Sequence, residues 1–273
     1  MQKAGSFYPS DIPWIMGILN VTPDSFSDGA RYQRFDKAIA HAEDMLENGA
    51  DIIDIGGEST RPGAAEVSVS EEIDRVVPLV ERIAKLGARI SVDTSKPEVM
   101  SAAIRAGAHM INDVRALSMP GALEVVANAK VPVCLMHMQG QPRTMQHDPK
   151  YASVVDDVIS YLQNRVDACV LAGVPRELIS IDPGFGFGKR LSHNLDLLKH
   201  LSRFKSLGAT VLAGLSRKSM LGEITGQPVE DRLSASLSVA LIAMQQGAKI
   251  IRVHDVEETN DVRKVFLALQ ESN

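Results

Sequence analysis

Eight short apolar runs, each followed by an amphipathic segment of helical period, predict an α/β fold of the (β/α)8 TIM-barrel class. Three observations carry this reading. The repeat fills a chain of 273 residues, close to the roughly 250 typical of such barrels. The runs are apolar without clean alternation, as strands covered on both faces are. Glycines stand between helix and next strand at Gly49, Gly87, Gly107, Gly173, Gly208 and Gly247, where a helix end favours a left-handed residue. An open doubly wound sheet is the alternative. Against it, the first unit lacks a GxGxxG turn, and eight similar units close more readily than they leave edges exposed.

The first strand is read at Ile15–Asn20, after a short N-terminal extension over 1–14 for which a hairpin across the barrel floor is one option. Its helix, Phe35–Glu47, places Ala38, Ile39, Ala42 and Met45 on one stripe. The second strand is Asp51–Gly56, and its helix Ser70–Leu86 carries Ile73, Val76, Val77, Val80 and Ile83 on one stripe. Arg89–Asp93 pairs with helix Lys96–Ala106, His109–Asp113 with Ala122–Ala129, and Val131–His137 with Val154–Ala172. Leu178–Asp182 pairs with Leu195–Phe204, Thr210–Gly214 with Asp231–Gln246, and Lys249–Val253 with Glu257–Leu269. No linker-like stretch interrupts the repeat, so residues 1–273 are read as a single domain. Three loops after strands are long, Val21–Arg34, Gly57–Val69 and Met138–Lys150, a length typical of lids and binding loops.

Composition narrows the class of partner. Lys plus Arg is 29 against 34 Asp plus Glu, a net charge of -5, which calls for neither a nucleic-acid backbone nor an anionic membrane. The most apolar segment, Leu233–Met244, is broken by Ser234, Ser236 and Ser238, too polar and short for a membrane span. Cys134 and Cys169 sit in apolar surroundings and are expected as buried free thiols. The opening MQKAGSFYPSDIPW has no apolar stretch of signal-peptide type, so the cytoplasm is the expected compartment.

Polar residues gather at one end of the strands. They are Asn20; Gly56 and Gly57 with Thr60 and Arg61; Asp93; Asn112 with Asp113; His137; Asp182; Lys218; and Arg252 with His254. The strand beginnings offer no such set, and barrel chemistry takes place at the C-terminal mouth. Asp93, Asn112 and Asp182 suit a polar heterocycle with several N–H groups, or else serve as strand-end caps and partners of an internal cation. Thr60, Arg61, Arg252 and His254 form a cationic or hydroxylic group that could converge on a phosphate-like anion. The plainer alternatives are a salt bridge from Arg252 to Asp255 or Asp54, and a packing role for His254. Lys218 could form a Schiff base, donate to a ring carbonyl or face solvent. His137 lacks metal-ligand company, which argues against zinc. The string Gly184–Lys189 lacks the spacing of a phosphate loop and reads equally as a tight turn presenting Phe185 or Phe187 beside a flat ligand.

Eight motifs resemble those of the bacterial dihydropteroate synthases. They are NVTPDSFSDG at Asn20–Gly29, DIGGESTRPGA at Asp54–Ala64, SVDTSKP at Ser91–Pro97, IND at Ile111–Asp113, LMHMQG at Leu135–Gly140, DPGFGFGK at Asp182–Lys189, GLSRKS at Gly214–Ser219 and RVHDV at Arg252–Val256. The resemblance runs from about Ile15 into the last helix, departing at Ala30, where the family often has a second glycine. It implies a Mg2+-dependent condensation of 6-hydroxymethyl-7,8-dihydropterin pyrophosphate with p-aminobenzoate in folate biosynthesis. It also implies a homodimer and inhibition by sulfonamides.

The resemblance assigns roles residue by residue. It implies pterin binding by Asp93, Asn112, Met136, Asp182, Phe187 and Lys218. Asn20, Arg252 and His254 would bind the pyrophosphate, with Asn20 a ligand to Mg2+. Thr60, Arg61, Pro62, Phe187, Lys218 and Ser219 would surround p-aminobenzoate, and Asp93, Lys218, Arg252 and His254 would carry the catalysis. The rivals are a pterin-dependent methyltransferase, which would have no use for the anion group, an aldolase working through Lys218, and a silent pterin-binding protein. For a dimer, Leu237, Val239, Ile242, Val265 and Leu267 offer apolar surface that could equally be barrel packing.

Overall fold

A computed structural model describes residues 7–8, 11–21, 31–60, 64–141 and 144–271. Its strands are β1 (Trp14–Asn20), β2 (Ile52–Gly56), β3 (Arg89–Asp93), β4 (Met110–Asp113), β5 (Val133–Met136), β6 (Ile179–Asp182), β7 (Thr210–Ala213) and β8 (Ile250–Val253). All pair in parallel in sequence order, and β8 returns to β1 to close the barrel. The strand ends agree with the expected ones to within two residues. The six glycines expected at helix ends all have positive φ, from 63° at Gly208 to 112° at Gly107.

The helices are α1 (Arg31–Glu47), α2 (Val69–Ala84), α3 (Pro97–Ala106), α4 (Ala122–Ala129), α5 (Val154–Leu171), α6 (Leu191–Lys199), α7 (Ser219–Thr225), α8 (Leu233–Gln245) and α9 (Val256–Glu271). Two differences from the sequence reading stand out. The helix expected at Leu195–Phe204 is α6, which starts four residues earlier, and it gives way to a 3-10 helix over Leu201–Leu207. The stripe was real, since Leu201, Phe204 and Leu207 are buried, but a tighter helix carries them. The short α7 was not foreseen, because seven residues present too little periodicity to read. The first long loop is also shorter than expected, because α1 begins at Arg31.

The core has two parts. One lies between strands and helices and takes the stripe residues Ala38, Ile39, Ala42 and Met45 of α1 with Val76, Val80 and Ile83 of α2. The other plugs the lower barrel with Tyr8, Trp14, Met16, Ile52, Met110, Cys134, Leu212 and Ile250. Burying each large apolar side chain contributes about 1.5–3 kcal/mol. Tyr8 closes the floor, its hydroxyl donating to Val133 O at 3.0 Å and Leu178 O at 3.1 Å. The hairpin considered for the N-terminal extension falls largely outside the described residues. Both cysteines are free and buried, as expected.

The plug decides where chemistry can go. Side chains two residues apart on a strand share a face. One step up from the plug, Ile52 gives way to Asp54, Met110 to Asn112, Cys134 to Met136, Leu212 to Gly214 and Ile250 to Arg252. Three of these five steps, those to Asp54, Asn112 and Arg252, turn the inward face from apolar to polar towards the C-terminal mouth.

Candidate active site

At the centre of the polar layer is Arg252. Its Nε donates to Asp54 Oδ2 at 2.7 Å and its Nη2 to Asp93 Oδ2 at 3.0 Å. Asn112 Nδ2 donates to the same Asp54 oxygen at 3.1 Å. Of the two salt bridges considered for Arg252, the one to Asp54 forms; Asp255 instead pairs with Arg217. Burial acts to lower the Arg252 pKa, but Asp54 and Asp93 outweigh it and hold the guanidinium charged. Burial lifts the Asp93 carboxyl to about 7 against the pull of Arg252, with Asp54, Asp113 and Glu72 adding to the rise.

Gly214 opens the space between the two chemistries. A side chain there would begin 3.7 Å from Asp182 Oδ2 and 3.9 Å from Arg252 Cβ. The glycine leaves the floor bare between the Asp182 carboxylate and the base of the Arg252 side chain. Asp182 Oδ1 accepts from Gly184 N at 2.7 Å, which fixes its orientation. Burial raises its pKa, opposed first by that backbone N–H and then by Lys218, Lys189 and Arg252. Met136 stands beside it as its register partner on β5.

Lys218 caps α7, with its Nζ 4.3 Å from the centroid of the Phe187 ring, a cation–π contact. Burial lowers its pKa to about 8, opposed by Asp182. Ser219, the next residue, is exposed. Of the two aromatics considered in the glycine string, Phe185 goes into the core and only Phe187 faces the mouth.

His254 corrects one expectation. Grouped by sequence with the cations, its pKa instead falls to about 4, through burial first and then the nearby Arg252 and Arg217. It is neutral at pH 7. Its Nδ1 lies 3.0 Å from Ser216 Oγ, which also accepts from His254 N at 3.2 Å. A hydroxyl donating to Nδ1 leaves Nε2–H as a hydrogen-bond donor.

Asp113 serves as a strand-end cap. Its carboxylate accepts from Ser95 Oγ, from Arg115 N at 2.8 Å and from Leu117 N at 2.7 Å, holding a turn in which Ala116 and Leu117 both have positive φ. His137 likewise is scaffold, buried against Lys189. The stem of the second loop is tied down by an ion triad in which Glu72 is buried and Lys96 and Glu58 are half-buried. Lys96 Nζ donates to Glu58 Oε2 at 2.8 Å and to Glu72 Oε2 at 2.6 Å, while Glu58 Oε1 accepts from Val67 N at 3.0 Å.

Thr60 helps line a cavity of about 220 Å3 beside Asp93, with Glu58, Ser59, Thr94, Ser95 and Arg115. Arg61 and Pro62 lie outside the described residues, as does 22–30 of the first loop. Asn20 ends β1, its Oδ1 3.5 Å from where a Gly56 side chain would begin, on the side of that glycine shared with Asp93. Among the described residues no three His, Cys, Asp or Glu side chains gather as a cation cage. The structure thus brings together Asn20, Asp93, Asn112, Met136, Asp182, Phe187, Lys218, Arg252 and His254 around one mouth. Sequence reading had treated Asp54 only as an ion-pair partner and missed Ser216 and Lys189. The inward step from Ile52 to Asp54 was the available signal for the first.

Comparison with other proteins gives consistent matches. A family described as pterin binding enzymes matches residues 16–254. Dihydropteroate synthase of Escherichia coli K12 is 55% identical over 94% of this chain and 91% of its own. The crystal structure of the Yersinia pestis dihydropteroate synthase with a sulfonamide drug is 50% identical, with a TM-score of 0.93, covering 100% of this chain and 99% of that one. The Xanthomonas albilineans dihydropteroate synthase in complex with 7,8-dihydropteroate is 48% identical, with a TM-score of 0.88, covering 96% of this chain and 95% of that one.

Proposed function

The chain belongs to the bacterial dihydropteroate synthases among the pterin-binding enzymes, and from that membership we propose how its barrel mouth divides the work. The enzyme condenses 6-hydroxymethyl-7,8-dihydropterin pyrophosphate with p-aminobenzoate, giving 7,8-dihydropteroate and pyrophosphate in folate biosynthesis. It is a transferase of a pterin-methyl group and a sulfonamide target.

The observation that carries the division is the bare floor at Gly214, with Asp182 on one side and Arg252 on the other. Asp182 accepts from the N–H edge of the pterin, Asn112 adds an amide, Lys218 donates to a ring heteroatom, and Met136 and Phe187 flank the ring. The scissile methylene–oxygen bond then lies over Gly214. The remaining N–H groups of Arg252 and the Nε2–H of His254 take the charge that develops on the pyrophosphate. The arylamine of p-aminobenzoate is unprotonated at neutral pH and needs little general-base help. The barrier is bond breaking, and the electron-rich dihydropterin shares the positive charge at its methylene. Asp93, bonded to Arg252 and ionised above its pKa of about 7, favours that cation. Thr60, Phe187, Lys218 and Ser219, with Arg61 and Pro62, surround p-aminobenzoate.

Mg2+ fits the donor set. It takes one or two protein oxygens together with phosphate oxygens and water rather than an all-protein cage, and Asn20 Oδ1 is the oxygen this mouth offers on the pyrophosphate side. When bound there, the ion supplies charge neutralisation on the leaving pyrophosphate.

The whole chain, 1–273, is proposed to act as one barrel domain and as a homodimer, supported by the exposed Ile242 and Val265 on α8 and α9; Val239 and Leu267, expected with them, are instead taken up by barrel packing, Val239 buried in the core and Leu267 packed against it. Light scattering at the mass of two chains is the expected result. The cytoplasm is the proposed compartment, supported by two buried thiols left unpaired.

The deciding experiment measures pyrophosphate release from dihydropterin pyrophosphate and Mg2+, with and without p-aminobenzoate. Release that depends on p-aminobenzoate and matches dihydropteroate formation is expected. Equal release without it would mean a hydrolase, and no release despite pterin binding would remove the assignment.

A further inference from the structure

The loop after β6 runs from Gly184 to Lys189, and Lys189 turns back into it. Its buried Nζ lies 2.8 Å from Gly184 O, 2.9 Å from Phe187 O and 3.0 Å from His137 Nδ1. An ammonium has three N–H groups, so each one has an acceptor. His137 fits that role, since burial and Lys189 hold its pKa at about 3 and the imidazole stays neutral. Burial also lowers Lys189 to about 7, with Asp182 opposing. Hydrogen bonds rather than an ion pair therefore hold this side chain in place.

The loop around it is fully tied. Gly186 N donates to Asn194 Oδ1 at 2.8 Å, Tyr151 OH donates to Gly188 O at 2.7 Å, and Gln146 Nε2 donates to Gly186 O. Gly184 and Gly188 have positive φ, and side chains there would begin 1.9 Å from His137 O and 2.7 Å from Gln139 O. The backbone is pressed against the segment after β5 on one side. Its other side carries Phe187 under Lys218, and a side chain on Gly186 would begin 3.3 Å from Lys218 Cδ.

We propose that Lys189 is a positioning residue for the condensation: by clamping the carbonyls of Gly184 and Phe187 from inside the loop, it sets where Phe187 and Lys218 stand against p-aminobenzoate. It lies behind the loop and touches no substrate. The clamp also bears on the pterin side, because Gly184, whose carbonyl it holds, donates its N–H to Asp182. The inference rests on Phe187 and Lys218 lining the p-aminobenzoate site.

The test is a double-mutant cycle of Lys189→Met and Phe187→Ala, read as kcat and as KM for p-aminobenzoate. A wall displaced by about an ångström costs roughly 10²-fold, so each single variant should raise KM about 10–100-fold, with kcat falling less. Because both changes act through the ring and the lysine stacked on it, the double variant should fall well short of the product of the two singles. Multiplying effects would overturn the inference, as would a normal KM in Lys189→Met with only a lower melting temperature. A Phe187→Ala variant with unchanged KM would instead bring down the site reading, and this inference with it. Trp14, the single tryptophan, reports folding. If Lys189→Met does not fold, Lys189→Gln, whose two N–H groups fall about one bond short of the three acceptors, loosens the same clamp and carries the same cycle with a smaller rise in KM, and a normal KM there would again overturn the inference.

Discussion

Replacing Arg252 by methionine separates the ion network from everything else the barrel does. The change keeps the volume and apolar stem but removes the cation between Asp54 and Asp93. Asp54 is fully buried and Asp93 only 12% exposed, so neither carboxylate gains much from water. Breaking a buried pair on one side costs about 3–5 kcal/mol. Part of that loss is relieved by protonation of Asp93, and this makes the cost depend on pH. In the native protein the Asp93 pKa is about 7, against about 4 for an unfolded carboxyl. Between those values the folded chain holds a proton that the unfolded chain has released, so stability falls as pH rises through that window. Arg252 is the largest influence keeping the Asp93 pKa down. Without it the window extends above 7, and the variant continues to lose stability where the parent has levelled off. The destabilisation should therefore be about 1 kcal/mol larger at pH 8 than at pH 6.

Urea unfolding followed by Trp14 fluorescence at both pH values measures this directly. Turnover should fall about 10²–10³-fold, the usual cost of losing one charge-stabilising donor. A destabilisation independent of pH would refute the reading of the ion network. Near-normal turnover would refute the role of Arg252 at the pyrophosphate.

Three further outcomes follow from single contacts. Ser216→Ala removes the partner of His254 Nδ1, a hydrogen bond of about 0.5–1.5 kcal/mol, and should raise KM for the pterin pyrophosphate about 2–10-fold in the condensation assay. An unchanged KM would mean His254 needs no orienting. Asp182→Ala should weaken pterin binding by about 2–5 kcal/mol, read by calorimetry, and retained tight binding would sink that contact. Gly184→Ala places a methyl 1.9 Å from His137 O at a φ of 72° and should cost about 3 kcal/mol; an unshifted melting temperature would show that the loop can relax away.

How much of this was legible in the sequence depends on what fixes each residue. Strands buried on both faces and helices with a single apolar stripe carry their own period. The eight strand ends, and the polar residues standing on them, could therefore be read without a partner in view. The short α7 could not: SMLGEIT is too brief to show a stripe, and its Gly222 lies against the guanidinium of Arg232, which comes from beyond the helix. The resemblance supplied roles for Asn20, Asp182 and Lys218, but not the charge states that burial imposes. His254 loses its charge first to burial, then to Arg252, two positions before it on β8, and to Arg217, which reaches it from the segment after β7. That outcome depends on three-dimensional proximity to other cations, not on residue type.

Asp54 and Lys189 expose the deeper limit. Both are charged groups inside the barrel, where an isolated charge would be strongly disfavoured. Each is tolerable only because distant segments supply its partners: Arg252, 198 positions away, for Asp54, and His137, 52 positions away, for Lys189. From sequence, a lone aspartate in an apolar strand or a lysine closing a glycine string reads equally as surface or as site. Closure of the barrel removes the ambiguity, because it brings β8 beside β1 and the end of β5 beside β6. The residues hardest to read are thus those whose stability requires the completed fold. They are also the ones that hold the reacting groups in register, since Asp54 orients Arg252 and Lys189 orients the loop beneath Lys218. The local code specifies the scaffold and the rim, whereas the charged layer between them is specified by contacts that exist only after closure.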